Sequence, residues 1–151
     1  MIRLFKHYIP HAVILLGLID LALLIGVADF GWRLRAAQIG IDPGATVSRI
    51  WQLSGYAVII LTAMIAVGVY GAEALRSMRY ATARLLVAIS LGIIALAFVD
   101  FLFGGHNFWR SVLAYAMGGS IILLVLNRLV VGGVLGVAAF RRRVLVLGAG
   151  A

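Results

Sequence analysis

A run of 23 residues without a charge, from Ile50 to Ala72, limits this chain more than any other feature. At about 1.5 Å per residue, a helix of this length covers roughly the 30 Å thickness of a bilayer's hydrocarbon core. The chain is 64% hydrophobic and only 12% charged, about half the charge of an ordinary soluble domain. A water-soluble fold would expose large apolar patches. The composition therefore excludes a soluble or disordered chain, and the lack of cysteine excludes a disulfide scaffold.

Three further segments have the same apolar character, which predicts an all-α membrane protein with a bundle of four transmembrane helices. We expect the spans at 12–30, 50–71, 85–103 and 111–131. They are joined by an outer loop at 31–49, a cytoplasmic loop at 72–84 and an outer turn at 104–110, with interfacial segments at 1–11 and 132–143. The first span contains Asp20, at a cost of about 2.5 to 3.5 kcal/mol, which the surrounding Leu, Ile, Val and Phe residues outweigh. A cleaved signal peptide is the less favoured alternative for this end.

The flanking cations predict the orientation of the spans. Eight lie on the side of both termini, against four on the other side (Arg3, Lys6, Arg76, Arg79, Arg84, Arg141, Arg142 and Arg143, against Arg33, Arg35, Arg49 and Arg110). The positive-inside rule therefore predicts cytoplasmic termini. The net charge of +8 falls in short clusters between uncharged stretches. A nucleic-acid partner is accordingly not expected, and the partner that the pattern indicates is the lipid bilayer.

Three of the five acids, Asp20, Asp29 and Asp100, lie within or at the margin of a span. An ionisable group there suggests a proton or ion path, but three acids spread over two spans are too sparse for a relay. We favour pairing between helices, for example Asp20 with Arg128 or Asp100 with Arg110. A fourth span at 111–131 would place Arg128 near the inner surface, with its side chain extended to the headgroups. The alternative span, 120–140, would bury it mid-membrane.

Other polar residues give weaker signals. His7 and His11 have the i, i+4 spacing of two ligands on one helical face, but they lack further ligands, so no metal site is expected. Thr46 or Ser48 is a candidate to cap the second helix. Three small-xxx-small patterns predict helix packing within the bundle and leave homo-oligomerisation open (Ala22 with Gly26, Ala114 with Gly118, and Gly132 with Gly136).

The last residues change in character after Arg141, Arg142 and Arg143. Residues 144–147 read as a buried strand, followed by Gly148 and Gly150, which would open a dinucleotide-type fingerprint. That fingerprint is incomplete, because its third glycine, helix and downstream acid are missing. A parallel strand needs neighbouring strands. We therefore expect 144–151 to start a Rossmann-like domain that lies beyond this sequence, with Gly148 and Gly150 as candidate cofactor-binding residues.

The four spans, the opening MIRLFKHYIP and the exit RRRVLVLGAG together resemble the N-terminal region of bacterial polyprenyl-phosphate glycosyl-1-phosphate transferases. The similarity is to the exosortase/PEP-CTERM-associated branch. It implies an anchor in the bacterial inner membrane, a Rossmann-like domain, and a catalytic domain with an Asp-Glu dyad and Mg²⁺. Such enzymes transfer a sugar-1-phosphate from a nucleotide sugar to polyprenyl phosphate in exopolysaccharide biosynthesis.

None of those catalytic residues has a counterpart here. The resemblance therefore implies an anchor that is inactive alone, holds no cofactor, and reaches polyprenyl phosphate and nucleotide sugar only through the missing domain. Two alternatives stay open. One is the anchor of a membrane-bound nucleotide-sugar dehydratase or epimerase, which shares this beginning. The other is a complete small four-helix transporter or assembly protein.

Overall fold

Four long helices form the body of the protein. The computed structural model describes residues 2–4, 7–9, 11–71, 78–103 and 110–135. The helices are α1 (His11–Ile39), α2 (Ile50–Ala66), α3 (Met78–Phe103) and α4 (Arg110–Leu135). Within the described residues, four helical stretches are long and apolar enough to cross a bilayer: Val13–Ile39, Thr46–Ala66, Arg79–Leu102 and Arg110–Val131. Their number agrees with the predicted number of spans and indicates a multi-pass membrane protein.

Two smaller elements accompany the helices. Strands β1 (Ile2–Leu4) and β2 (His7–Ile9) form an antiparallel pair before α1, with Ile2 opposite Ile9. A 3-10 turn, Thr46–Arg49, leads directly into α2. His7 thus lies in a strand and His11 begins a helix, so the two histidines do not share the helical face that their spacing suggested.

The helices pack in a ring in which each contacts the next and α4 returns to α1. Neighbours are antiparallel, as expected for an up-and-down bundle. We call the end where α1 and α3 begin and α2 and α4 end the proximal end, and the opposite end the distal end. A hydrogen bond of 3.0 Å between the buried hydroxyls of Tyr56 on α2 and Ser120 on α4 crosses the centre of this ring.

Glycines with a left-handed backbone set the ends of α1 and α2. Gly40, at φ 70°, ends α1, and the next amide, that of Ile41, donates to the carbonyl of Ala36 at 3.0 Å. Helix α1 therefore runs on past residue 30, where the first span was expected to end. Basic residues such as Arg33 end an apolar run, but arginine is a good helix former and does not end a helix. Glycine ends this one, because it adopts a positive φ without strain.

A glycine with positive φ also ends α2, earlier than predicted. Gly68 has φ 74°. Its amide donates to the carbonyl of Ile65, and the amide of Val69 donates to the carbonyl of Met64, both at 3.0 Å. This pair of bonds is a Schellman motif. It ends α2 at Ala66, before the predicted 71, and turns the chain back over the proximal end of the bundle.

Glycines also allow close helix contacts, but at other positions than predicted. A Cβ on Gly92 of α3 would lie 3.1 Å from the Cα of Ile60 on α2, and one on Gly119 of α4 would lie 2.7 Å from Val27 on α1. Gly26 and Gly118 instead have open space beside them. The packing role expected for Ala22 with Gly26 and for Ala114 with Gly118 is therefore wrong, because these residues are exposed on the bundle surface.

Several predictions lie outside the described residues. These are the loops at 72–77 and 104–109, the basic exit from 136 to 143, and the strand and glycines at 144–151, including Gly148 and Gly150. The side chains at 132–135 are not described either, so the Gly132 and Gly136 pattern stays a prediction.

Candidate functional site

A fully buried carboxylate, that of Asp20 on α1, is the centre of the most elaborate polar arrangement in the described bundle. Asp20 has no exposed surface. Its Oδ2 accepts hydrogen bonds from Nη2 of Arg128 at 2.6 Å and from the hydroxyl of Tyr70 at 2.7 Å. Its Oδ1 accepts one from Nδ2 of Asn127 at 2.8 Å. We call these four residues the Asp20 cluster.

Three separate segments supply this cluster. Asp20 lies on the face of α1 that packs into the bundle, between Leu16 and Leu24, which are both buried. Asn127 and Arg128 are consecutive on the last turns of α4. Tyr70 follows the Schellman motif of α2, so the turn at Gly68 brings its side chain back toward the other two helices. The cluster thus joins α1, α4 and the α2 turn at the proximal end.

A second arginine holds the turn that carries Tyr70. Nη1 of Arg84, on α3, donates to the carbonyl of Gly68 at 3.0 Å, and Arg128 lies over the Tyr70 ring at 5.2 Å from its centroid. The turn is therefore bound from α3 on one side and from α1 and α4 on the other. All four helices contribute to fixing its position.

Internal neutralisation explains how a bilayer-spanning helix carries this acid. Asp20 is nine residues beyond the start of α1, roughly 13 Å along its axis. A lone carboxylate there would be expensive, whereas a paired and hydrogen-bonded one is tolerated. The expectation that the Arg128 side chain reaches the headgroups is wrong. Arg128 is 4% exposed and faces Asp20, because the neighbouring helix offers it a counter-charge.

Arg128 uses only part of its hydrogen-bonding capacity. Its Nε and Nη1 are enclosed and have no hydrogen-bond partner within the described residues. Tyr70, which lies beyond the membrane-spanning part of α2, donates from a hydroxyl whose pKa is raised by burial and by the neighbouring Asp20 carboxylate. The hydroxyl therefore stays protonated and remains a donor. The cluster as a whole is a charge-neutral junction between helices.

A second cluster closes the distal end around Asp29. Its carboxylate accepts from Nε of Arg33 at 2.7 Å and from Nη2 of Arg49 at 3.0 Å. The hydroxyl of Thr46 donates to it at 3.2 Å. Arg49 also donates to the carbonyl of Pro43 and lies over the Trp32 ring at 5.3 Å. We call Asp29, Arg33, Thr46 and Arg49 the Asp29 cluster.

This cluster overturns the predicted cap of α2. The residue at the N-cap of α2 is Arg49, without a side-chain cap bond, because residues 46–49 form a 3-10 turn ahead of the helix. The hydroxyl of Thr46 donates to Asp29 instead. The Ser48 hydroxyl donates to the carbonyl of Ala45 at 2.7 Å instead. The loop after α1 is thus fixed to α1 itself.

The third acid, Asp100, lies elsewhere. It lines a groove between α2 and α3 at the distal half of the bundle, together with Trp51 and Gln52. The structure therefore brings none of Asp20, Asp29 and Asp100 together. Within the described residues no group of three or more His, Cys, Asp or Glu could hold a metal ion.

The pairing of Asp20 with Arg128 was expected from the sequence, whereas the contacts of Tyr70 and Asn127 with Asp20 were not. Asn127 carries a weak signal, since it is a polar residue in an apolar run and directly precedes Arg128. Tyr70 carries none, because its role depends on the turn at Gly68.

Comparison with known proteins yields no match. No family model matches the chain, and neither a curated protein nor a solved structure shows significant similarity to it.

Proposed function

We propose that this chain is the membrane anchor of a polyprenyl-phosphate glycosyl-1-phosphate transferase, held in the bacterial inner membrane with both of its ends on the cytoplasmic side. The catalytic steps, with their Mg²⁺, nucleotide sugar and polyprenyl phosphate, belong to a domain that follows residue 151. Residues 144–151 would then open the intervening Rossmann-like domain.

The observation that carries the proposal is the Asp20 cluster. It neutralises the buried acid within the bundle and ties α1, α4 and the α2 turn together at one end. A bundle whose buried acid is paired with a charge of its own suits an anchor, whereas a carrier needs polar groups that a solute can reach. The up-and-down order supports the same function, because it brings the start of α1 and the end of α4 to the proximal end.

The proposal is tested with the protein encoded by the whole gene, in membranes supplied with Mg²⁺, polyprenyl phosphate and radiolabelled nucleotide sugars. We expect label to enter the lipid fraction as sugar phosphate, and residues 1–151 expressed alone to transfer none. Modification of the nucleotide sugar without transfer to lipid would contradict the proposal and favour a dehydratase or epimerase.

A matched variant separates an anchor from a transporter. Replacing both charges of the buried pair, as Asp20→Leu with Arg128→Met, keeps the volume and removes the ionisable groups. An anchor retains transfer activity in this double variant. If instead the chain moved a solute in a flux assay, and either this double variant or Asp100→Asn abolished the flux, the anchor proposal would fail.

The orientation is tested through the lack of native cysteine. We introduce single cysteines at Ala45, in the distal loop, and at Arg79, near the proximal end, both of which are exposed. A membrane-impermeant maleimide should label the Ala45→Cys variant in intact spheroplasts and the Arg79→Cys variant only after permeabilisation. The reverse pattern would overturn the cytoplasmic placement of the termini.

A further inference from the structure

The two ends of the bundle differ in how far their charges are compensated. In the sequence, eight cations adjoin the proximal end and four adjoin the distal end. The acids are distributed the other way, with one at the proximal end and three at the distal end (Glu73, against Asp29, Asp42 and Asp100). The two remaining charges, of Asp20 and Arg128, neutralise each other in the interior. Of the net charge of +8, +7 therefore belongs to the proximal end and +1 to the distal end.

The distal acids are too far away to compensate the proximal cations. Arg79 lies in the first turn of α3 and Asp100 in its last turn, and the 21 positions between them span roughly 30 Å of helix. Asp29 is bound to two arginines at its own end. Whatever contacts the undescribed residues make, the one acid at the proximal end can balance one of its eight cations. The excess of positive charge there does not depend on those contacts.

Arg79 places part of this charge at the edge of the bilayer's hydrocarbon core. It is the first residue of the apolar helical stretch Arg79–Leu102, and its side chain is exposed. The neighbouring Tyr80 is 65% exposed, and tyrosine is a residue that favours the headgroup region. A lipid headgroup can therefore reach the guanidinium from outside the bundle.

An exposed apolar face continues from Arg79 along α3. Ala83 and Val87 follow at steps of about one turn and are both exposed, as is Ile94 deeper in the span. A charge at the boundary followed by an apolar surface has the same order of polarity as a phospholipid in its leaflet. A soluble anion would contact only the charge, whereas a lipid contacts both parts of this surface.

We propose that the proximal end of the bundle selects phospholipids whose headgroup has a net negative charge, and that Arg79 holds the phosphate of one such lipid beside α3. The guanidinium donates charge-assisted hydrogen bonds to the phosphate oxygens, and an acyl chain follows Ala83 and Val87. The ammonium of a zwitterionic headgroup is repelled by the proximal charge, which weakens its binding. This selection depends neither on the transferase function nor on the side of the membrane that the proximal end faces.

The test compares lipid occupancy beside two matched reporters in the full chain, which has no native cysteine. Ala83→Cys lies four residues after Arg79 at the proximal end, and Ala114→Cys lies four residues after Arg110 at the distal end. All four of these positions are exposed. Each cysteine carries an uncharged bimane fluorophore. The protein is placed in nanodiscs of equal amounts of phosphatidylglycerol and phosphatidylcholine, with brominated acyl chains on one lipid or the other.

Quenching by the two brominated lipids gives their relative occupancy beside each reporter. At residue 83 we expect phosphatidylglycerol to be preferred by roughly fivefold, the factor that one basic residue contributes at a membrane surface. At residue 114 the two lipids should quench almost equally, because the distal charges nearly cancel. Raising the salt concentration to about 1 M, where the screening length is about 3 Å, should weaken the preference at residue 83.

Substitutions of the two matched arginines locate the recognition. Arg79→Gln removes the charge and should lower the preference at residue 83 severalfold. Arg79→Lys keeps the charge and should preserve most of the preference. Arg110→Gln, the same change at the start of α4, is the control and should leave the preference at residue 83 as it is.

Three results would overturn the proposal: equal quenching by the two lipids at residue 83, a preference of the same size at residue 114, or an unchanged preference in Arg79→Gln. An excess of soluble glycerol phosphate at constant ionic strength should leave the lipid in place. Its displacement would identify a soluble phosphate as the occupant and would also contradict the proposal.

Discussion

Asp20 and Arg128, 108 positions apart in the sequence, form an ion pair of 2.6 Å in the interior of the bundle. The pair links the first helix to the last and so closes the ring of helices at its proximal end. Each residue neutralises the charge of the other. Tyr70 and Asn127 donate the remaining hydrogen bonds to the carboxylate. This relationship makes the charges of α1 and α4 interdependent.

Removing one member of the pair should therefore harm the protein more than removing both. Asp20→Leu leaves a buried guanidinium that cannot lose its charge, and we expect it to lower the free energy of unfolding by about 3 to 5 kcal/mol. Arg128→Met should cost less, because Asp20 can take up a proton and keeps two other hydrogen bonds. The double variant should be at least as stable as Arg128→Met alone.

Unfolding in mixed micelles with increasing SDS measures these free energies, and the four proteins form a double-mutant cycle. A coupling energy near zero would show that the two charges act independently and would contradict the arrangement described here.

Tyr70 should contribute through its hydroxyl and its ring separately. Tyr70→Phe removes the bond to Asp20 but keeps the ring below Arg128, and should lower the free energy of unfolding by about 1 kcal/mol. Tyr70→Leu also removes the ring and should cost roughly 0.5 to 1 kcal/mol more. Equal losses in the same SDS titration would mean that the ring contact contributes nothing.

The same tyrosine predicts a pH dependence. Burial first, and then the charge of Asp20, raise the pKa of the Tyr70 hydroxyl above its ordinary value of 10.0. As the pH rises, the unfolded chain loses this proton before the folded chain does, so the stability is complete below about pH 10 and declines above it. Unfolding measured from pH 8 to pH 11 should show a smaller decline in Tyr70→Phe. An identical decline in both proteins would refute this assignment.

The sequence predicts the features that neighbouring residues determine and misses those that depend on backbone conformation or on contacts between distant residues. The number of helices was predicted, because each uncharged run, such as 50–72, can be read directly from the hydropathy of neighbouring residues. The end of α1 at Ile39 depends on the backbone conformation of Gly40, which a charge-based boundary ignores. The contact of Arg128 with Asp20 could be proposed from their charges, but that of Tyr70 required the turn at Gly68. Likewise, the sequence predicted a cap by Thr46, but the 3-10 turn at 46–49 places Thr46 before the N-cap, where its hydroxyl binds Asp29 of another helix.

The Asp29 cluster should depend on Arg49 far more than on Arg33. Arg49 is 7% exposed and binds Asp29, Pro43 and the Trp32 ring, whereas the Arg33 side chain is 51% exposed. We expect Arg49→Gln to destabilise the protein by about 2 to 4 kcal/mol, since it leaves Asp29 short of a buried partner, and Arg33→Gln by less than about 1 kcal/mol. Proteolysis of the loop at 40–49 should accelerate in Arg49→Gln alone, and equal rates in the two variants would contradict the prediction.

The closest approach of α2 and α3 should not tolerate a single added methyl group. A Cβ on Gly92 would lie 2.5 Å from Cδ1 and 3.1 Å from Cα of Ile60, so Gly92→Ala must separate the helices or displace Ile60, at a cost of about 1 to 3 kcal/mol. Gly118→Ala is the matched control, because nothing lies within 4 Å of its added Cβ, and alanine favours a helix by up to about 1 kcal/mol over glycine. In SDS unfolding, Gly92→Ala should therefore lower the free energy of unfolding, whereas Gly118→Ala should raise it or leave it unchanged. Adding Ile60→Val to Gly92→Ala removes the nearer atom, Cδ1, and should restore part of the loss. If Gly92→Ala alone were as stable as the unmodified chain, the two helices would not approach as closely at this point as described.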